Sequence, residues 1–177
     1  MDKKIEKFLT IILSILLIAS ILTTVYLIHA PKVGERFTEF YILNENLKAY
    51  DYPTNLKYNE NATIIIGVRN LEYRPMNYTV LVFLSNETYD YNDTVYLDQV
   101  NNWNGFLSYN YALSKKVHLI HHNETALIPL NFSINKTGVH KIEFILLDES
   151  SELGLKKVYR ELHLWTNVSK DENKSLI

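Results

Sequence analysis

The chain has 177 residues, no cysteine, and a formal charge of −2 from 18 basic and 20 acidic residues. So even a balance lacks the basic footprint of a nucleic-acid binder, and the absence of thiols excludes disulfides and thiolate zinc sites. Tyrosine (13) outnumbers glycine (5), and with abundant Ile, Val, Thr and Asn this favours strands joined by turns over helices.

The first predicted element follows a short tail carrying Lys3, Lys4 and Lys7. It is an uncharged apolar run, Phe8 to Ile28. About 20 apolar residues is the length a helix needs to cross a bilayer, where a helix satisfies its own backbone hydrogen bonds. A secretory signal has a shorter apolar region and ends at a small-x-small site. The candidate ends here, Ser20 and Ala30, both have isoleucine two residues earlier, so the run reads as an uncleaved anchor. Lysines on the short N-terminal side keep that side cytoplasmic. The expectation is a single-pass cell-membrane protein, N-terminus cytoplasmic, with an extracytoplasmic domain.

The predicted organisation is a cytoplasmic tail over 1–7, a transmembrane helix over 8–30 and a linker over 31–36. A β-sandwich over 37–168 and a polar tail over 169–177 follow. The part after the anchor holds 15 basic and 18 acidic residues once Asp2, Lys3, Lys4, Glu6 and Lys7 are set aside. At roughly 145 residues it can bury a core without disulfides.

Within it, Phe37 to Asn44 reads as a strand, and Asp51-Tyr52-Pro53-Thr54 as a turn, since proline presets φ and aspartate bonds nearby amides. Asn61 to Asn70 is a β-branched strand with Ile64, Ile66 and Val68 on one face. Asn77 to Ser85 alternates Val80, Val82 and Leu84 with Thr79, Leu81 and Phe83, the pattern of a strand covered on both faces. Tyr89 to Val100 reads as a weaker edge strand, and Asn101 to Leu119 gives no clear period. Glu124 to Phe132 returns to strand. A turn over Asn135 to Gly138 leads to Val139–Asp148, where Ile142, Phe144 and Leu146 alternate with Lys141 and Glu143 as in a half-buried strand. Val158 to Val168 is the last strand. About seven strands and no helical period outside the anchor predict an all-β, immunoglobulin-like β-sandwich. His140 stands where a tyrosine corner is expected.

Four motifs in order resemble the archaeal membrane-protein family DUF1616. They are Gly34-Glu35-Arg36-Phe37-Thr38-Glu39-Phe40-Tyr41, Tyr52-Pro53-Thr54-Asn55-Leu56, Glu72-Tyr73-Arg74-Pro75 with Asn77-Tyr78-Thr79-Val80, and Arg160 to Val168. The resemblance covers most of residues 34–168. It implies an extracytoplasmic immunoglobulin-like domain on a membrane anchor, and it brings no known activity. Similar proteins often carry several membrane helices where this chain has one, and the stretch Asn86 to Lys116 is longer than the family needs.

Acceptor sequons Asn-x-Ser/Thr begin at Asn61, Asn77, Asn86, Asn92, Asn123, Asn131, Asn135, Asn167 and Asn173. Composition alone would give about two such matches. Asn86, Asn92, Asn123 and Asn135 fall in predicted turns and are the glycosylation candidates, whereas Asn77, Asn131 and Asn167 fall within strands. The histidines His118, His121, His122, His140 and His163 invite a metal reading, but His121 and His122 point to opposite faces if extended and no carboxylate stands at ligand spacing. No metal or other cofactor is expected. There is no H-E-x-x-H, G-x-S-x-G or glycine-rich phosphate loop, so no catalytic residue is assigned and the chain is read as a non-enzyme.

If Leu162 and Leu164 face the core, Glu161, His163 and Trp165 share the opposite face. Trp165, His163, Trp103 and Arg74 are therefore the candidates for partner contact, tryptophan being a frequent interface anchor. For both tryptophans, packing against the domain itself is the plainer alternative. The expected function is a non-catalytic cell-envelope module working through protein contacts or structural support. The alternative is an accessory carbohydrate-binding component of envelope glycan assembly or export, using the aromatic loops.

Overall fold

The apolar run forms one helix, α1 (Lys3–His29, 27 residues), about 40 Å long at 1.5 Å per residue. It begins at Lys3 instead of Phe8 because lysine and glutamate continue a helix readily. None of its residues is buried, and it is long and apolar enough to cross a membrane. Four of its hydroxyls are spent internally: Thr10, Ser14, Thr23 and Thr24 each donate to the carbonyl four residues earlier at 2.8–2.9 Å. This back-bonding removes the cost those groups would carry in hydrocarbon. A computed structural model describes residues 3–30, 34–90, 93, 95, 97–100, 102–149 and 158–170. The chain divides into two compact units, Met1–Glu35 and Arg36–Ile177.

The second unit is a sandwich of two sheets. The first has the order β1 (Phe37–Asn44), β3 (Ala62–Leu71), β8 (Thr125–Ser133) and β6 (Gly105–Phe106). The second has the order β2 (Asn55–Lys57), β10 (Val158–Ser169), β9 (Gly138–Asp148), β4 (Met76–Ser85), β7 (Tyr111–Ile120) and β5 (Asp98–Val100). The seven strands of eight or more residues pair antiparallel throughout, and the short β2, β5 and β6 pair parallel at the rims. The expectation of about seven strands holds, with one exchange. Among the described residues of the strand read over Tyr89–Val100, β5 forms at the sheet edge, whereas the segment without a clear period holds most of the long strand β7.

Period-2 patterning places the core between the sheets. Ile64, Ile66 and Val68 of β3 and Leu130 and Phe132 of β8 meet Tyr78, Val80 and Val82 of β4 and Ile142, Phe144 and Leu146 of β9. All are at most 1 % exposed, and each such apolar side chain contributes about 1.5–3 kcal/mol by leaving water. A second, smaller cluster lies on the opposite face of the larger sheet. There Leu81, Phe83, Ile145 and Leu147 are covered by Tyr89, Val95 and Leu97 from the segment after β4. Both faces of β4 are covered, as its double alternation predicts.

Two polar devices close the sandwich. Glu72, just past β3, accepts from Thr38 Oγ1 of β1 at 3.1 Å and from the Tyr159 hydroxyl of β10, while Thr38 Oγ1 lies 2.6 Å from the Tyr78 hydroxyl of β4. Burial and the bond to Glu72 push the Tyr159 phenol up to about 12, and burial pushes Tyr78 up as well. At the other device, His140 Nε2 donates to the Lys136 carbonyl at 2.8 Å. A carbonyl only accepts, so Nε2 carries the proton, and Nδ1 meets the Tyr109 hydroxyl at 2.9 Å. Histidine thereby ties the corner back to a carbonyl four residues upstream, the task a tyrosine hydroxyl performs in many sandwiches.

Candidate functional site

The outer face of the larger sheet holds the chain's least expected chemistry. Register sets Lys141 opposite Trp165 and Glu143 opposite His163 across β9 and β10, with Ser85 and Phe83 of β4 on the other side. The alternation of Lys141 and Glu143 with apolar residues predicts a solvent-facing row, yet Lys141 is 6 % and Glu143 0 % exposed. The reason is non-local: the segment after β4 folds over this face, the Tyr89 ring standing edge-on to Phe83 at 5.6 Å.

Under that cover the charges neutralise one another. Lys141 Nζ lies 2.7 Å from Glu143 Oε2 and 3.6 Å from Glu161 Oε1, and donates to the Glu87 carbonyl at 2.8 Å. His163 Nδ1 lies 3.5 Å from the same Glu161 oxygen. Burial, reinforced by a hydrogen bond to Glu161, pushes the Glu143 carboxyl up to about 8, against the pull of Lys141. Burial also acts upward on Glu161, but the bond from Glu143 and the nearby Lys141 and His163 hold it below the ordinary carboxylate value. A raised Glu143 beside a lowered Glu161 is the pattern of one proton held preferentially on the more buried of two neighbouring carboxyls, next to a buried ammonium. The Lys141 bond to the Glu87 carbonyl ties the covering segment to this sheet, and the Glu143 carboxyl is fully buried while Glu161 is partly exposed. Sequence reasoning missed this cluster, although Phe83 opposite Glu143, and Leu81 opposite Ile145 on the same face, already signalled a covered face.

Next to this covered region the face reopens. Trp165 is 55 % exposed, and Val139, diagonal to it across β9 and β10, is 66 % exposed. His163, half-exposed, borders them on β10. Of the four partner candidates, the fold brings Trp165 and His163 onto this one face. It does not join the others to them. Trp103 packs against the core with its indole Nε1 donating to the Pro129 carbonyl at 2.6 Å, and Arg74 lies exposed on the β3–β4 turn.

The remaining histidines stay apart. His121 Nδ1 faces Glu124 at 3.2 Å, and His122 stacks on Tyr73 with ring centroids 4.3 Å apart. Among the described residues no group of three or more His, Asp or Glu could hold a metal ion. Of the glycosylation candidates, Asn86, Asn123 and Asn135 are exposed and Asn92 lies outside the described residues. Asn123 is engaged, its Oδ1 accepting from Arg69 Nη2 at 2.7 Å.

An N-terminal apolar helix followed by two sheets of this strand order defines the class: an immunoglobulin-like β-sandwich domain on a candidate membrane helix. The chain belongs to the DUF1616 family, a domain of unknown function, whose family model matches residues 31–167. No match is found among curated proteins. Among solved structures, it resembles the CARDB domain of the PF1109 protein from Pyrococcus furiosus, solved in complex with di-metal ions. The identity is 14 % over 78 % of this chain and 99 % of that one, with a TM-score of 0.46. It also resembles a part of beta-glucosidase from Listeria innocua, with 11 % identity, 77 % of this chain, 17 % of that chain and a TM-score of 0.43. A third likeness is to a chain of the zinc 2-glycoprotein–prolactin inducible protein complex from human seminal plasma, with 13 % identity, 74 % and 94 % coverage and a TM-score of 0.37. No activity carries over from these likenesses.

Proposed function

We propose that this protein is a non-catalytic, membrane-anchored component of the cell envelope whose immunoglobulin-like domain, outside the cytoplasmic membrane, holds a protein partner through the Trp165 face. The observation that carries this reading is the exposure of Trp165 and Val139 side by side on a sheet. On the neighbouring part of that face Leu81, Phe83, Ile145 and Leu147 are covered by Tyr89, Val95 and Leu97 of the chain's own segment after β4. An exposed tryptophan on a rigid strand loses little entropy on binding and brings a large apolar surface, which suits an interface anchor. The lysine-flanked helix supports the anchoring and the orientation. The burial of the Glu143 carboxyl against Lys141 supports a non-catalytic reading, because this acid has no contact with solvent.

The test places a photoreactive residue at position 165 in intact cells, and in parallel at position 48, an exposed site on the loop after β1. A discrete protein adduct at 165 that is absent at 48 is the expected result. Equal labelling at both positions, or none at 165, overturns the assignment of this face.

A further inference from the structure

A cleft of about 600 Å³ opens between the ends of the two sheets, and two acceptor asparagines, Asn86 and Asn135, lie on its lining together with Leu107, Phe106, Tyr109 and Tyr111. These two sequons come from opposite sheets' connections, Asn86 directly after β4 and Asn135 between β8 and β9. Both are exposed, and among the described residues neither side chain makes a hydrogen bond. Other sequons are engaged. The Oδ1 atoms of Asn77, Asn123 and Asn131 accept from the Leu119 amide, Arg69 and Thr63 at 2.7–2.8 Å. Asn61 and Asn167 are exposed but do not line this cleft.

The cleft's chemistry matches the group that such an acceptor carries. The Tyr109 hydroxyl is held by His140 and the Tyr111 hydroxyl donates to the Phe106 carbonyl at 3.2 Å, so their polar tips are occupied. Lys136 Nζ sits 5.1 Å from the Tyr109 ring centre, leaving Phe106, 49 % exposed, and Tyr111 as the open ring surfaces. Aromatic faces beside amide groups suit the C–H faces and hydroxyls of a sugar, and the volume falls within the roughly 300–1,000 Å³ of small-ligand sites.

We propose that Asn86 and Asn135 are the principal N-glycosylation sites of this chain, and that the saccharide they carry lies along the Phe106–Tyr111 cleft and fills it. In the transfer, the asparagine Nδ2 bonds to the anomeric carbon of a lipid-phosphate-linked oligosaccharide. The bond from that carbon to the phosphate oxygen breaks, the lipid phosphate leaves, and the amide gives up one proton. The inference rests on the extracytoplasmic placement proposed above.

Glycopeptide mass spectrometry of the full chain from its native membrane tests it, with Thr88→Ala and Thr137→Ala removing each acceptor motif while keeping the asparagines. Occupancy at Asn86 and Asn135 is expected to exceed that at Asn77, Asn123 and Asn131. Hydroxyl-radical oxidation of Phe106 and Tyr111 is expected to rise several-fold in the double variant. Glycans on other sequons with these two bare overturn the site assignment, and unchanged oxidation overturns the placement of the sugar. For a chain bare at every sequon, Lys48→Cys separates the causes, since the chain has no other thiol. Labelling by a membrane-impermeant maleimide in intact cells overturns this proposal alone, and no labelling overturns the extracytoplasmic reading with it.

Discussion

The ring of Tyr41 on β1 lies across Gly67 on β3, its register partner, so closely that a Cβ at position 67 would sit 2.2 Å from the ring. Gly67 has no side chain to pack, and the neighbouring aromatic covers the bare backbone, a device that offsets the weakness of glycine in a strand. Together with Leu43, Ile65 and Leu127, Tyr41 makes an apolar band on the outer face of the smaller sheet. Gly67→Ala should therefore destabilise the domain by about 1–3 kcal/mol, as overpacking does. In a Tyr41→Ala background the same change should cost close to nothing. Urea unfolding of the four variants checks this, and a full cost persisting without the ring refutes the contact.

The second prediction concerns Glu143. Its carboxyl is raised from 4.5 to about 8 in the folded state, so the folded chain binds more protons than the unfolded chain between those values. Stability should consequently fall as pH rises through that window. Lys141 and His163, the Glu161 carboxylate and the Tyr89 phenol surround the group, and Glu161, lowered, acts oppositely in acid. Glu143→Gln mimics the protonated form. It should match the native chain near pH 5 and exceed it at pH 9 in thermal melts. A native midpoint that does not decline from pH 5 to 9, or a variant that keeps the decline, contradicts the shared-proton arrangement.

Glu72 lends itself to a paired substitution. Glu72→Ala removes the acceptor shared by the Thr38 and Tyr159 hydroxyls, and loss of a buried acceptor of this kind should cost about 1–3 kcal/mol. Glu72→Gln keeps an acceptor oxygen and should recover much of the loss. Denaturant midpoints measure both, and equal losses would show that the carboxylate charge matters more than the acceptor.

Trp165 and Lys141 face each other in the ladder but should behave oppositely. Trp165→Ala removes an exposed ring and should change stability by no more than about 0.5 kcal/mol while abolishing partner capture. Lys141→Met leaves the carboxylate of Glu161 without its buried ammonium and should cost about 3–5 kcal/mol. Melting curves and crosslinking yields on the same two variants separate the roles. A Trp165→Ala chain that unfolds early would make this residue part of the packing.

Much of the sandwich is written in local alternation. Ile64, Ile66 and Val68, or Ile142, Phe144 and Leu146, repeat every second residue, and strands form there. β7 escaped because its outer half, Lys115, Lys116 and His118, has a polar face and its aromatic start resembles a loop. β2 escaped because three residues after Pro53 show no period; it exists by pairing with Asn167–Ser169 at the other end of the chain. Lys141 and Glu143 carry the pattern of a wet face, and only the segment around Tyr89, more than fifty residues earlier, makes it dry. Trp165 and His163 were legible as one face because strand parity alone decides that. The shared cleft of Asn86 and Asn135 was not, since it depends on how two distant connections meet.

The lengths of the rim strands carry a consequence for handling the domain. β2, β5 and β6 have three, three and two residues, whereas β1, the fourth rim, has eight and pairs with β3 on one side. Truncated rims offer an incoming strand almost no template, and a full-length rim offers a whole one. Self-association of the isolated domain would thus be templated along Phe37–Asn44. A proline or lysine introduced on that outer rim is the first remedy for fibrous or oligomeric preparations.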